Sequence, residues 1–171
     1  MSDDVSLGEW RCASCGEIHR DLPALVIKAP SIWLHADEGE RERDFELTTD
    51  TCIWRNEGFF VRCVLALPFV DREGSLEFGV WSSLSAEHFR RYMAASGSAD
   101  RVDLGWMFGW FSNRLPGYPD TENLKCHVHP REPGSRPTIE LEPTEHPLAV
   151  QQRTGIKFEE AVAYAHEYLD L

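Results

Sequence analysis

"GFFVRCVLALPFV", residues 58–70, followed by "DREGS" (71–75) and "LEFGVWSSL" (76–84), decides how this chain is read. Side chains of a strand alternate between two faces. Phe59, Val61, Cys63, Leu65 and Leu67 therefore share one side, and Phe60, Arg62, Val64 and Ala66 the other. The first set is apolar throughout, as a strand with one face on a core requires, and Cys63 within it is expected as a core thiol. "DREGS" is short, polar and glycine-bearing, which suits a hairpin turn. Upstream, "FELTTDTCIW" (45–54) is rich in β-branched and aromatic residues and reaches 58–70 through "RNEG". Three strands in quick order through short turns predict an antiparallel meander.

Helices are expected around that sheet. Ser85 is a natural N-cap for "AEHFRRYMAA", in which Phe89, Tyr92 and Met93 recur at helical spacing and which Gly97 can end. His88, in its first turn, is expected to be exposed. Pro147 suits the first turn of a helix over "LAVQQRT" that Gly155 ends, and Phe158, Ala161, Val162, Ala165 and Leu169 form the apolar stripe of a C-terminal helix. "LPALVI" (22–27) reads as a short strand or packed segment, and "HADEGERERDFE" (35–46) as a solvated turn or brief helix. "LKCHVH" (124–129) and "PTIELE" (137–142) are two further short strands. Between helix and strands, Trp106, Phe108, Trp110 and Phe111 are expected to lie over the sheet as core filling, with a ligand-stacking surface as the alternative. Strands first, with helices interspersed and late, give an α+β class in a single domain over residues 1–171, and a length of 171 residues is enough for one domain with a real core.

Composition narrows the function classes. The apolar share of 42% together with six Trp and nine Phe marks a folded protein rather than a disordered one. A formal charge of −12 repels phosphate backbones and favours cationic partners, so a basic protein is the expected partner and nucleic acid is not. No apolar run is long enough to span a bilayer, and "MSDDVSLGEW" is acidic and polar where an export signal would be basic then apolar. The cytoplasm is the expected compartment, and there five cysteines are thiols or metal ligands before they are a disulfide framework.

The densest chemistry lies in "WRCASCGEIH" (10–19). A two-residue spacer lets the thiolates of Cys12 and Cys15 point to one side of a tight turn, and Gly16 relaxes the backbone just after. Such a knuckle supplies two ligands to a zinc ion. No second Cys-x-x-Cys exists, so the remaining ligands must come from His19, Cys52, Cys126, His127 or His129. His19 is close enough in sequence to close back onto the knuckle. In "CHVH", strand alternation places Cys126 and Val128 on one face and His127 and His129 on the other. A thioredoxin-type redox pair would need a helix directly after the first cysteine, and "EIHRDLP" is a poor one. Without metal, the stretch would be a tight turn whose cysteines pack as small hydrophobes. No nucleophile elbow, phosphate loop or H-E-x-x-H is present, and His146 beside its carboxylates is explained by capping of the helix that follows.

These segments together resemble an uncharacterised bacterial family of small proteins, one of the domains of unknown function. The likeness runs from "CASCGEIHRDLP" through "LTTDTCIW", "FFVRCVLALP", "FGVWSSLS" and "LPGYPDTENLK" to "IELEPTEHPLAVQQRTGI". The resemblance implies that Cys12, Cys15, His19, Cys52, His129 and His146 are recurrent features, whereas Cys63 and Cys126 are incidental to this member. It carries no activity. The metal set expected on this basis is Cys12, Cys15, His19 and His129, with Cys52 still open. The expected function is a non-catalytic protein-binding module with a structural zinc-type site, an immunity- or antitoxin-like inhibitor of a basic protein. The alternative is a zinc-dependent hydrolase-like enzyme with His129 or His146 as general acid or base.

Overall fold

In the computed structural model, residues 9–12 and 15–168 are described. Along the chain run β1 (Trp10–Arg11), β2 (Ile18–His19), β3 (Leu25–Val26), α1 (Ser31–His35), α2 (Glu38–Asp44), β4 (Phe45–Leu47), β5 (Thr51–Trp54), β6 (Gly58–Pro68) and β7 (Ser75–Leu84). They are followed by α3 (Ala86–Ala94), a 3-10 turn (Ala99–Leu104), β8 (Met107–Trp110), β9 (Lys125–His129), β10 (Thr138–Leu141), α4 (Pro147–Thr154) and α5 (Phe158–Tyr168). The class is α+β, one sheet-dominated domain with helices against it.

β6 and β7 form the long antiparallel hairpin that the alternation predicts, from Phe59 opposite Leu84 to Pro68 opposite Ser75. Val61, Cys63, Leu65 and Leu67 are fully buried, and Leu76, Phe78, Val80 and Leu84 meet them on the same side. "FELTTDTCIW", expected as one strand, is instead a tight hairpin of β4 and β5. The Thr48 hydroxyl accepts from the amides of Asp50 and Thr51, at 3.3 and 2.9 Å, and so turns the chain where the strand would have continued. The meander is also not the whole sheet. β6 is long enough to serve two neighbours on one edge: β5 along Gly58–Val61, and β10, in parallel, where Thr138 lies opposite Val64. β3 adds a second parallel pair against β7, through Phe78 and Gly79. As β10 leaves β6, the Gln152 amide takes over the open edge. Its Nε2 donates to the Ile139 carbonyl at 2.8 Å, and its Oε1 accepts from the Leu141 amide at 2.8 Å.

The sheet then curls back on itself. The order is β3-β7-β6-β10-β9-β8, yet Phe111, just past β8, bridges Ser82 on β7, and the Ser112 amide donates to the Trp81 carbonyl at 2.9 Å. A side chain at Gly109 would collide with Ser82 Oγ and the Ser83 carbonyl, so glycine is what lets the seam close. Buried Asn113 locks it, with Oδ1 accepting from the Trp81 amide at 2.8 Å and Nδ2 donating to the Ala29 carbonyl at 2.9 Å.

The helices pack as expected, with two corrections. Ser85 caps α3, accepting from the His88 amide at 3.1 Å, and Phe89 and Tyr92 are buried, but Met93 is exposed. α2 begins with a reciprocal box between Asp37 and Glu40, and its last residue is not merely solvated: the Asp44 carboxylate is gripped by Arg43 and Arg55 at 3.0 and 2.9 Å. On α5, Phe158, Ala161 and Ala165 face inward, while Leu169 of the expected stripe lies outside the described residues.

Candidate metal centre

β1 and β2 form a separate two-stranded hairpin, with Trp10 opposite His19 and Arg11 opposite Ile18. Its turn is tied by backbone bonds from the Cys12 amide to the Glu17 carbonyl and from the Gly16 amide to the Cys12 carbonyl, both 2.9 Å. Arg11 Nη1 adds a bond to the Gly16 carbonyl at 2.8 Å. Gly16 takes φ +73°, a left-handed conformation open to glycine without strain. The spacer, Ala13 and Ser14, lies outside the described residues.

This turn brings Cys12, Cys15 and His19 together. Their sulfur and ring-nitrogen ligand atoms all lie within 4.8 Å of one another, and Cys15 Sγ is 3.2 Å from His19 Nε2. Cys12 is buried, Cys15 exposed and His19 between the two. The group can hold a metal ion. Trp10 backs it, its ring 5.2 Å from that of His19 and 5.3 Å from that of His166 on α5. Trp10 and Cys12 pack with Phe158 in a small cluster of their own, joined to the main core through Leu22 and Phe69. The Arg72 guanidinium stacks 3.5 Å over the Phe158 ring and covers the far side. Sequence reading passed over Trp10 and His166, although Trp10 directly precedes the knuckle.

The other candidates are not gathered there. His129 pairs across strands with Glu140, its Nε2 3.3 Å from Oε2, and does not belong to the trio that the sequence reading assigned it to. Cys52 is sealed on β5, where burial pushes its thiol up to about 12. Cys126 is sealed on β9 beside Ser82, and burial pushes it up to about 11. Neither belongs to the group that Cys12, Cys15 and His19 form. Cys126 and Val128 do face inward and His127 and His129 outward, as alternation predicts. His146 has both ring nitrogens engaged. Nδ1 accepts from the Leu148 amide at 3.1 Å to cap α4, and Nε2 reaches the Pro119 and Asp120 carbonyls at 3.3 and 3.2 Å.

The aromatic segment divides by strand alternation. Met107, Gly109 and Phe111 face the core, whereas Trp106 and Trp110 are 56% and 41% exposed and Phe108 is half-buried. The expectation that the tryptophans here fill the core is thus corrected: Trp106 stacks outside the sheet on His127, at 4.0 Å.

No curated protein and no solved structure gives a match to this chain. A family model does, over residues 11–156, a span that includes the knuckle and the whole curled sheet. The chain belongs to the family of uncharacterized proteins conserved in bacteria known as DUF2199.

Proposed function

We propose that this chain is a cytoplasmic protein-binding module whose N-terminal hairpin is fixed by zinc on Cys12, Cys15 and His19, and whose acidic surface takes a basic protein, as an immunity protein or antitoxin would. The convergence of three soft and borderline donors carries this reading. Around a tetrahedral zinc, bonds of about 2.3 Å to sulfur and about 2.0 Å to nitrogen set donor atoms about 3.6–3.8 Å apart. The separations in this trio, 3.2 Å for Cys15 and His19 and at most 4.8 Å for any pair, need only small side-chain rotations to reach that. The net charge of −12 supports a basic partner, and outward Trp106 and Trp110 supply the kind of side chain that anchors interfaces.

A second reading, a zinc enzyme, is favoured by one observation: the described residues supply three ligands and Cys15 is exposed, which leaves a coordination position for water. His146 is a poor acid or base for it, because both nitrogens are committed to the backbone. Metal analysis of untagged protein tests the site, with one zinc per chain expected in wild type and a large loss in Cys12→Ser. Less than stoichiometric metal in wild type overturns both readings. Affinity capture from a bacterial host, scored for enrichment of basic proteins, separates them, and no enrichment counts against the binding module.

A further inference from the structure

The five thiols of this chain have unequal surroundings. Cys52, Cys63 and Cys126 are sealed in the sheet, and burial raises all three, with the neighbouring Cys126 adding to the effect on Cys63. An oxidant reacts with accessible thiolate, so these three are protected by lack of access and by the proton they keep. Cys15 is open to solvent. It sits exposed at the turn with the His19 ring 3.2 Å from its sulfur, and Cys12, 3% exposed, lies behind it with the two sulfurs within 4.8 Å. A reachable thiol with a hidden one at its back is the arrangement of an attacking and a resolving cysteine.

We infer that Cys12 and Cys15 form a site of oxidative modification, at which a hydroperoxide oxidises Cys15 and Cys12 closes a disulfide with it. With hydrogen peroxide, the Cys15 sulfur takes one peroxide oxygen, the O–O bond breaks, and the other oxygen leaves as water. The Cys12 sulfur then attacks the sulfenic sulfur, the S–S bond forms, and the remaining oxygen leaves as a second water. The two thiols lose two electrons and two protons, and the peroxide takes up both. A disulfide offers no thiolate to a metal, so closure also expels the ion. That consequence rests on the zinc reading above, whereas the modification itself does not. In a reducing compartment the disulfide is transient, as sensing disulfides are.

The experiment treats the full chain, loaded with one equivalent of zinc, with increments of hydrogen peroxide. Zinc release is followed with a chromogenic chelator, and the thiols by alkylation and peptide mass. Trypsin cleaves at Arg11 and Arg20 and leaves both cysteines in one peptide, residues 12–20. That peptide is expected to lose two hydrogens in step with zinc release, while Cys52, Cys63 and Cys126 stay alkylatable only after denaturation. Cys15→Ser should end disulfide formation and leave Cys12 alkylatable. A 12–20 peptide that stays reduced, or that gathers oxygen without a disulfide, overturns the proposal, and so does earlier oxidation of the three buried thiols. If the chain takes up no zinc, the metal reading alone fails, and the 12–20 peptide of the metal-free chain still decides the modification.

Discussion

Chelation of the metal should melt a piece of this protein, not the whole. With free zinc a hundredfold above its Kd, bound zinc stabilises the unit that releases it by about 2.7 kcal/mol. Were that unit the whole chain, its removal would lower Tm by roughly 5–11 °C, at about 2–4 °C per kcal/mol for a protein of this size. The structure points to a smaller unit. Among the described residues the hairpin shares no backbone ladder with the eight-stranded sheet, and Trp10 and Cys12 pack with Phe158 in a cluster apart from the main core, with Leu22 and Phe69 packed against both. A hairpin of two short pairs has little stability of its own. In hydrogen exchange, the Cys12 and Gly16 amides, which donate to Glu17 and Cys12, should exchange about a hundredfold faster after chelation. The amides between β6 and β7 should be unchanged, and the main thermal transition should move by less than about 2 °C. A fall of the main transition by the full roughly 5–11 °C would refute the separation of hairpin from sheet. Equal exchange at Cys12 and Gly16 with and without zinc would refute the role given to the metal.

The seam of the curled sheet gives two more tests. Asn113→Ala leaves the buried Trp81 amide and Ala29 carbonyl without partners, at about 1–3 kcal/mol each, and calorimetry should show a loss of roughly 2–6 kcal/mol. Gly109→Ala places a methyl group against Ser82 and Ser83 and should cost about 1–3 kcal/mol, with faster exchange at the Ser112 amide across the seam. Hydrogen bonds from Arg43 and Arg55 hold the Asp44 carboxyl down at about 2. A folded value below the ordinary 3.8 favours the fold above that pH, and the preference is lost as pH falls towards 2. Carboxyl NMR should find the low midpoint, and Asp44→Asn should flatten the stability profile in that acid window. Trp106→Ala and Trp110→Ala remove largely exposed rings and should stay within about 1 kcal/mol of wild type while weakening capture of a basic partner.

The fold was legible wherever one periodicity acted alone. Residues 59–67 alternate cleanly because β6 has the core on one side, and Ser85, Pro147 and Gly155 mark helix ends by local chemistry that no tertiary contact overrides. The failures share a cause. The hairpin within 45–54 depends on a threonine hydroxyl bonding to amides two and three residues on, and composition does not distinguish that from a threonine in a strand. The parallel pairs of β3 with β7 and β10 with β6 join segments far apart in sequence, and two-residue strands carry no period. Closure of the sheet is written only in Gly109, whose meaning depends on what stands opposite it.

For the site, spacing decided more than residue type. Cys12, Cys15 and His19 are local, so a turn of a few residues gathers them and sequence distance is a fair guide to space. His129 had the right chemistry but the wrong geometry. On β9 it points out of the sheet opposite Thr138 of β10, with the Glu140 carboxylate diagonally across at 3.3 Å, and among the described residues the hairpin forms no ladder with that sheet. Cys52 and Cys126 show the converse limit, since strand alternation turns each thiol into the core of the sheet, and neither joins the group that Cys12, Cys15 and His19 form. A ligand set read from sequence is therefore safest within a single turn. Each candidate beyond it has to be tested first for the face of its strand, and only then for its affinity for metal.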